Sequence, residues 1–250
     1  RPSTSWRGVS GGWSASRGGS PSGTATRVRS KQRSTARTIG QLLGTARKKE
    51  VTMKAETLPI IKIPHPQLRR VARPVPTVTP NLLNFSKLLA ETLRQTKNPT
   101  GVGLAAPQID QDWRVFATQL DHGIELFFNP VIAKHSSDTS FGEKEDDPDL
   151  EGCLSIPHLY GAVPRWKWVE LEYDELVGES FRRTSRRFSE FPARVVQHEF
   201  DHLEGILFID YSLKYDLPVY TADSRADTME ELPPEIFATL HRSTLLPRVT

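Results

Sequence analysis

The 250-residue chain has one cysteine and two methionines. It also has no apolar run long enough to cross a bilayer as a helix. A lone cysteine cannot close a disulfide within the chain, so a disulfide scaffold is excluded. Cys153 is left as a metal ligand, a free thiol or a small buried apolar residue. Acids are nearly missing from one end: residues 1–50 hold eight Arg and three Lys against the single acid Glu50. Large apolar residues are scarce there as well, while Ser, Arg, Gly and Thr abound. Such a segment buries too little surface to offset its ordering entropy, and the sequence predicts disorder over residues 1–50. The composition fits a transit segment, so a mitochondrial or other organellar matrix is the expected location. The net charge of +3 hides this asymmetry: with +10 in the first fifty residues, the remaining residues carry −7. A mildly acidic body argues against a nucleic-acid-binding face, and no membrane contact is expected of it. No internal repeat is found. The expected organisation is a basic targeting-like segment (1–50), a catalytic domain (51–215) and a C-terminal extension (216–250).

The body alternates helical and strand patterns. Thr79-Pro80 opens a helix, with Thr79 as N-cap and Pro80 in the first turn. Leu82, Leu83, Phe85, Leu88, Leu89 and Leu93 give it an apolar face, and it is expected to end near Lys97-Asn98-Pro99. Strands are expected at Trp113–Thr118, Glu125–Asn129, Trp166–Tyr173 and Phe181–Phe188. The acidic stretch from Lys134 to Asp149 reads as a loop. Pro192 is expected to open a helix that Gly205 helps to end. The tail after Leu213 carries no clear pattern beyond a short helix at Glu235–Leu240. This mixed order indicates an α+β fold with mainly antiparallel pairing.

The strongest chemical signal is Gln197-His198-Glu199-Phe200-Asp201-His202-Leu203-Glu204-Gly205, an H-E-x-x-H motif. Two histidines four apart on a helix share a face and can meet one metal ion. Glu199 then lies where it can move a proton to or from water polarised by that ion. The third ligand is open at this point. Phe208 stands where a metzincin protease needs a third histidine. Glu230 and Glu231 are available in the manner of thermolysin, but they sit in a stretch that reads as surface. Cys153 is the more distinctive candidate, because a thiolate with two imidazoles leaves the fourth position free for water. That donor set suits Fe(II), Zn(II), Co(II) or Ni(II), and neither Mg nor Ca.

Three segments occur in order: Gly101-Val102-Gly103-Leu104-Ala105-Ala106-Pro107-Gln108, then Glu151-Gly152-Cys153-Leu154-Ser155, then Gln197-His198-Glu199-Phe200-Asp201-His202. Together they resemble the signature motifs of the peptide deformylases, and the resemblance runs from about Ile63 to Leu213. It implies antiparallel sheets surrounding a central helix that bears the histidines. It also implies one divalent transition metal, typically ferrous iron, held by Cys153, His198 and His202. Glu199 becomes the general acid–base, and Gln108 with the backbone N–H of Leu154 stabilises the developing oxyanion. Val102, Gly103 and Gly152 are implied to bond the substrate backbone as an added strand. The resemblance further implies that Val102, Phe191, Val195 and the edge of His198 line a pocket for an unbranched methionine side chain. Motif position also suggests that Arg165 and Asp201 form an ion pair steadying the metal helix.

The implied activity is removal of formyl from the N-terminal methionine of nascent organellar polypeptides, releasing formate. The expected partners are a formyl-methionyl peptide and the organellar ribosome. Tyr160 departs from the Arg that many bacterial relatives carry near the substrate mouth, and the acidic insertion at 134–150 departs from their compact pattern. Another H-E-x-x-H peptidase or amidase is the rival enzyme, disfavoured by Phe208 and Gln108. A non-catalytic binder of peptide N-termini is the other rival, disfavoured because each chemical position is filled.

Overall fold

The computed structural model describes residues 56–97, 99–143, 148–223 and 228–237. The basic segment 1–50, the middle of the acidic insertion and the end of the expected Glu235–Leu240 helix lie outside these residues. In chain order the elements are α1 (Pro80–Arg94), β1 (Gly103–Ala105), β2 (Val115–Leu120), β3 (Gly123–His135), β4 (Thr139–Ser140), β5 (Leu150–Cys153) and β6 (Ile156–Ala162). They continue with β7 (Arg165–Trp166), β8 (Trp168–Val177), β9 (Ser180–Ser189), α2 (Glu190–Leu203), α3 (Phe208–Tyr215), β10 (Val219–Asp223) and β11 (Thr228–Glu231). Short 3-10 turns cover Pro66–Arg69 and Ala106–Ile109.

Strands β1-β2-β3-β8-β9 form one sheet, β11-β10-β6-β5 a second, and β4 pairs with β7. All these pairings are antiparallel. The class is therefore α+β. Among the described residues, no helix is long and apolar enough to cross a membrane.

Side-chain alternation gives the five-stranded sheet two apolar faces. Phe116, Phe127, Val169 and Leu171 pack with Ala193, Val196 and Leu203 of α2. Val115, Ala117 and Phe128 face the other way and pack with Leu82, Phe85, Leu89 and Leu93 of α1. Leu89 and Leu93 are fully buried, and each such side chain contributes about 1.5–3 kcal/mol. A third cluster joins Ile156, Val163 and Val219 to Leu207, Phe208 and Ile209, with Cys153 at its margin. The metal-motif helix is thus packed on one sheet, and the cysteine strand belongs to the other.

The Thr79 hydroxyl caps α1 by accepting from Leu82 N–H at 3.2 Å. The helix ends at Arg94, short of the expected Lys97, with Gln95 as C-cap. Helix α2 starts at Glu190 rather than Pro192, because proline is tolerated within the first turn and does not have to begin it. It ends in a Schellman motif: Ile206 N–H donates to Asp201 O (2.9 Å) and Gly205 N–H to His202 O (3.3 Å). Gly205 has φ +66, and a Cβ there would lie 2.5 Å from the Arg69 carbonyl oxygen.

Other boundaries differ more. Strand β3 runs on to His135 through an irregularity at Asn129-Pro130. The Asn129 side chain exchanges hydrogen bonds with Val75 N (2.7 Å) and Val75 O (2.8 Å), replacing the pairing that the bulge interrupts. The expected loop from Lys134 therefore starts later and contains β4. Helix α3 was not anticipated; Asp210 starts it by accepting from Leu207 N–H at 2.8 Å. The C-terminal extension is not a free tail over its described part. Strand β10 pairs with β6, and β11 pairs with β10.

Candidate metal centre and active site

Helix periodicity puts His198 and His202 one turn apart on α2, with ring centroids separated by 5.0 Å. Cys153 ends β5, and its Sγ lies 3.3 Å from His202 Nε2. One ligand atom from each of Cys153, His198 and His202 lies within 4.8 Å of the others. Bonds of tetrahedral transition-metal geometry separate ligand atoms by about 3.5 Å, so the Sγ–Nε2 spacing already suits a shared ion. Glu230 and Glu231 lie in the exposed strand β11 and take no part in this cluster.

Glu199 is buried, and its Oε2 has no hydrogen-bond partner among the described residues. Burial raises its pKa to about 7, although the charge on His198 works against the shift. The carboxylate rests on Gly103, where a Cβ would come within 2.2 Å of Oε1. A side chain at position 103 and a carboxylate in this pose are mutually exclusive.

Gln108 sits in the 3-10 turn after β1. Its Oε1 accepts from Ala105 N–H at 2.7 Å, which turns Nε2 toward Cys153 Sγ (3.6 Å) and Ser155 Oγ (3.4 Å). A backbone N–H only donates, so this contact fixes which amide atom is the oxygen. Leu154 lies in the turn between β5 and β6. Its side chain faces Gly101, where a Cβ would lie 2.9 Å from Leu154 Cδ1.

Glu151 organises the charge around the cluster. One of its oxygens accepts from Arg165 Nε (2.9 Å) and an Arg194 guanidinium nitrogen (3.1 Å). The other accepts from a second Arg165 nitrogen (2.8 Å) and His198 Nδ1 (3.0 Å). Arg165 also reaches Asp201 at 2.5 Å, and Asp201 accepts from the Tyr211 hydroxyl at 3.3 Å. The charged groups of Arg165 and Asp201 are thus in direct contact.

The two acids titrate apart for a visible reason. Burial disfavours ionised Glu151, but Arg165 and then His198 outweigh it and hold the carboxyl well below the usual range. Burial raises Asp201, and Arg165 offsets this only in part. Glu151 faces three cationic or donor groups, whereas Asp201 has Arg165 and a phenol. The histidines also diverge. Burial opposes charge on His198, yet hydrogen bonds and charges from Cys153 and Glu151 hold its pKa well above the ordinary value. Burial, His198 and Arg165 push His202 well below it. His202 Nδ1 is buried without a hydrogen-bond partner among the described residues.

The remaining expected residues lie around this cluster. Val102 precedes β1 and is exposed, Gly103 is in β1, and Gly152 is in β5. Strands β1 and β5 are each an edge of their sheet. Phe191 and Val195 lie on the His198 side of α2, the first exposed and the second buried. Tyr160 pairs with Gly152 across the strands, and its ring covers the place a Gly152 Cβ would take, 2.7 Å from Cε1.

Sequence reasoning missed Glu151, Arg194 and Tyr211. The first two left a signal: Glu151 is two residues before Cys153 on a strand, and Arg194 is four before His198 on a helix. Each therefore shares a face with a residue already singled out. Tyr211 reaches Asp201 only through α3, which the sequence pattern did not reveal.

Comparison with known proteins agrees with this geometry. The family model described as Polypeptide deformylase matches residues 57–216. Peptide deformylase 2 of a Nostoc species is 35% identical over 168 residues, covering 63% of this chain and 87% of that protein. The crystal structure of peptide deformylase from Thermotoga maritima aligns with a TM-score of 0.55 at 32% identity, covering 62% of this chain and 97% of the other. The Met-Ala-Ser-bound structure of class I type b peptide deformylase from Acinetobacter baumannii aligns with a TM-score of 0.53 at 31% identity, covering 62% and 98%.

Proposed function

The chain belongs to the peptide deformylase family and removes the N-formyl group from nascent polypeptides, and we propose that it does so with Glu199 as proton carrier beside a metal held by Cys153, His198 and His202. The observation that carries this reading is the convergence of these three ligand atoms beside a buried carboxylate oxygen that lacks a partner among the described residues. The donor set fits the group: a soft thiolate and two imidazoles suit a divalent transition metal. When bound, such a metal supplies Lewis acidity, which acidifies water and polarises a carbonyl. Ferrous iron is the proposed occupant, with Zn(II), Ni(II) or Co(II) able to replace it.

Glu199 accepts the proton that water loses as its oxygen bonds to the formyl carbon. The same carboxyl gives a proton to the peptide nitrogen as the carbon–nitrogen bond breaks, leaving formate and a free amine. Gln108 Nε2 and the Leu154 N–H donate to the charge developing on the formyl oxygen. His198 Nδ1–H donates to the Glu151 carboxylate, so Nε2 is the nitrogen free to bind metal. Arg165 and Asp201 steady α2 from behind.

The peptide is proposed to lie as an added strand between two open edges, β1 with Val102 and Gly103, and β5 with Gly152. Val102, Phe191 and Val195 would receive the methionine side chain. The Met-Ala-Ser peptide bound to the Acinetobacter relative supports a peptide of this kind. The arrangement of sheets around a central metal-bearing helix is supported by α2 packing on the five-stranded sheet while β5 approaches from the other. The composition of residues 1–50 supports delivery to mitochondria or another organelle, where the ribosome would be the partner.

Iron-loaded protein kept from oxygen should release formate from formyl-Met-Ala-Ser and stop when a chelator is added. Absence of formate from the loaded protein defeats the proposed chemistry.

A further inference from the structure

Residues Ile61–Ile63 form a strap between the two loops that flank the metal cluster. Ile61 N–H donates to Gln108 O at 2.8 Å, and Ile63 N–H donates to Ser155 O at 3.1 Å. Between them, the exposed Lys62 ammonium donates to the carbonyl oxygen of Leu154. That carbonyl belongs to the peptide unit whose other end is the Ser155 N–H. The Ser155 N–H in turn points at Cys153 Sγ, 3.4 Å away.

We propose that Lys62 is a positioning residue that tunes the Cys153 sulfur through the Leu154–Ser155 peptide. The inference rests on the proposed role of Cys153 as a metal ligand. A peptide group is conjugated, so a cation at its oxygen draws electron density from its nitrogen and strengthens its N–H as a donor. The strengthened N–H withdraws charge from the sulfur. Donors to a ligating atom change how strongly it gives electrons to the metal. Gln108 Nε2, at 3.6 Å, is a second donor to the same sulfur, and Ile61 holds its loop in place. The strap therefore fixes both donors, and Lys62 adds the only charge in the relay. No contact between Lys62 and substrate is needed.

Because the chain has a single cysteine, a sulfur-to-metal charge-transfer band reports Cys153 alone. The probe is the full chain loaded with Co(II), compared with Lys62→Met and Lys62→Arg. Removing the ammonium makes the thiolate more electron-rich, so the band moves to longer wavelength in Lys62→Met and returns to the parent position in Lys62→Arg. Turnover should fall about two- to threefold in Lys62→Met with KM unchanged, the scale of an exposed charged contact. The backbone donors of Ile61 and Ile63 remain in both variants, so the strap itself is retained. An unmoved band in Lys62→Met overturns the relay. So does a shift that Lys62→Arg fails to restore, or a raised KM with an unmoved band. A parent protein that binds cobalt with no sulfur band at all would instead remove Cys153 from the metal site, a failure of the underlying reading.

Discussion

Gly103→Ala is the smallest change that should disable the site while sparing each residue proposed to do chemistry. The added methyl would lie 2.2 Å from Glu199 Oε1, 2.6 Å from Cδ and 2.7 Å from Cγ. Ordinary carbon–oxygen contact needs about 3.4 Å, so the carboxylate must retreat by about 1 Å. Retreat is hard because Glu199 is buried on a helix packed against the sheet that contains Gly103. A displacement of that size can cost about 100-fold in rate, within the span of about 100- to 10,000-fold that general acid–base catalysis supplies. Overpacking should also lower stability by about 1–3 kcal/mol. The assay is kcat/KM for formate release from formyl-Met-Ala-Ser, with bound metal measured on the same sample. Gly101→Ala is the control. Its methyl meets Leu154 Cδ1 and Thr96 Oγ1 at 2.9 Å, both side-chain atoms able to shift, so its activity should fall much less. A Gly103→Ala enzyme with full metal content and a rate within threefold of the parent would refute the placement of Glu199.

Glu199→Gln should keep its metal and lose at least about 100-fold in turnover; a normal rate with metal bound would remove Glu199 from the mechanism. The same variant tests a pH effect in metal-free protein. Because burial lifts Glu199 from the ordinary carboxyl value of 4.5 to about 7, its contribution is fully present below the lower value and lost as pH rises through the upper one. Across that window the parent should lose about 3 kcal/mol relative to Glu199→Gln, read by denaturant unfolding. A constant difference between the two proteins from pH 4.5 to 7.5 would contradict it. Glu151→Gln keeps the size of the side chain but removes the charge facing His198 and two arginines. Metal affinity should fall about 10- to 100-fold in a competition titration, and unchanged affinity would leave Glu151 without an orienting role.

Much of the centre was legible because one short-range periodicity and one family resemblance carry it. Four residues on a helix bring His198 and His202 to one face, and the three ordered segments brought Cys153 and Gln108 into consideration. The long-range facts were less accessible. That Gly103 lies against Glu199 depends on how α2 rests on β1, and nothing local to either segment encodes that distance. Helix α3 is short, and its first turn depends on the Asp210 contact with Leu207 rather than on a long apolar stripe. The C-terminal hairpin joins β6 because Val219 is buried in the third cluster, a tertiary contact that overrides an unpatterned sequence. Boundaries moved for local reasons: Pro192 fits inside the first turn of α2, and Asn129 lets β3 pass through a bulge. Residues 1–50 remain a matter of composition alone.

The buried charges behind the histidines are better understood as an orienting device than as a source of stability. Arg165 and Arg194 oppose Glu151 and Asp201, so the group is neutral as a set, and the four side chains are almost wholly buried. Desolvating that many charges costs several kcal/mol per ion, and apolar replacements of equal volume often fold as well or better. What an apolar replacement cannot do is choose a ring nitrogen. Glu151 accepts from both arginines and still presents one oxygen to His198 Nδ1, which fixes the proton there and leaves Nε2 as the free ring nitrogen. Arg165 links that oxygen to Asp201, three residues after His198 on α2. Rotation of α2 that moved His198 off Glu151 would therefore also strain the Asp201 contact. The cluster couples the helix to the cysteine strand, and the geometry of the three proposed ligands is set by that coupling.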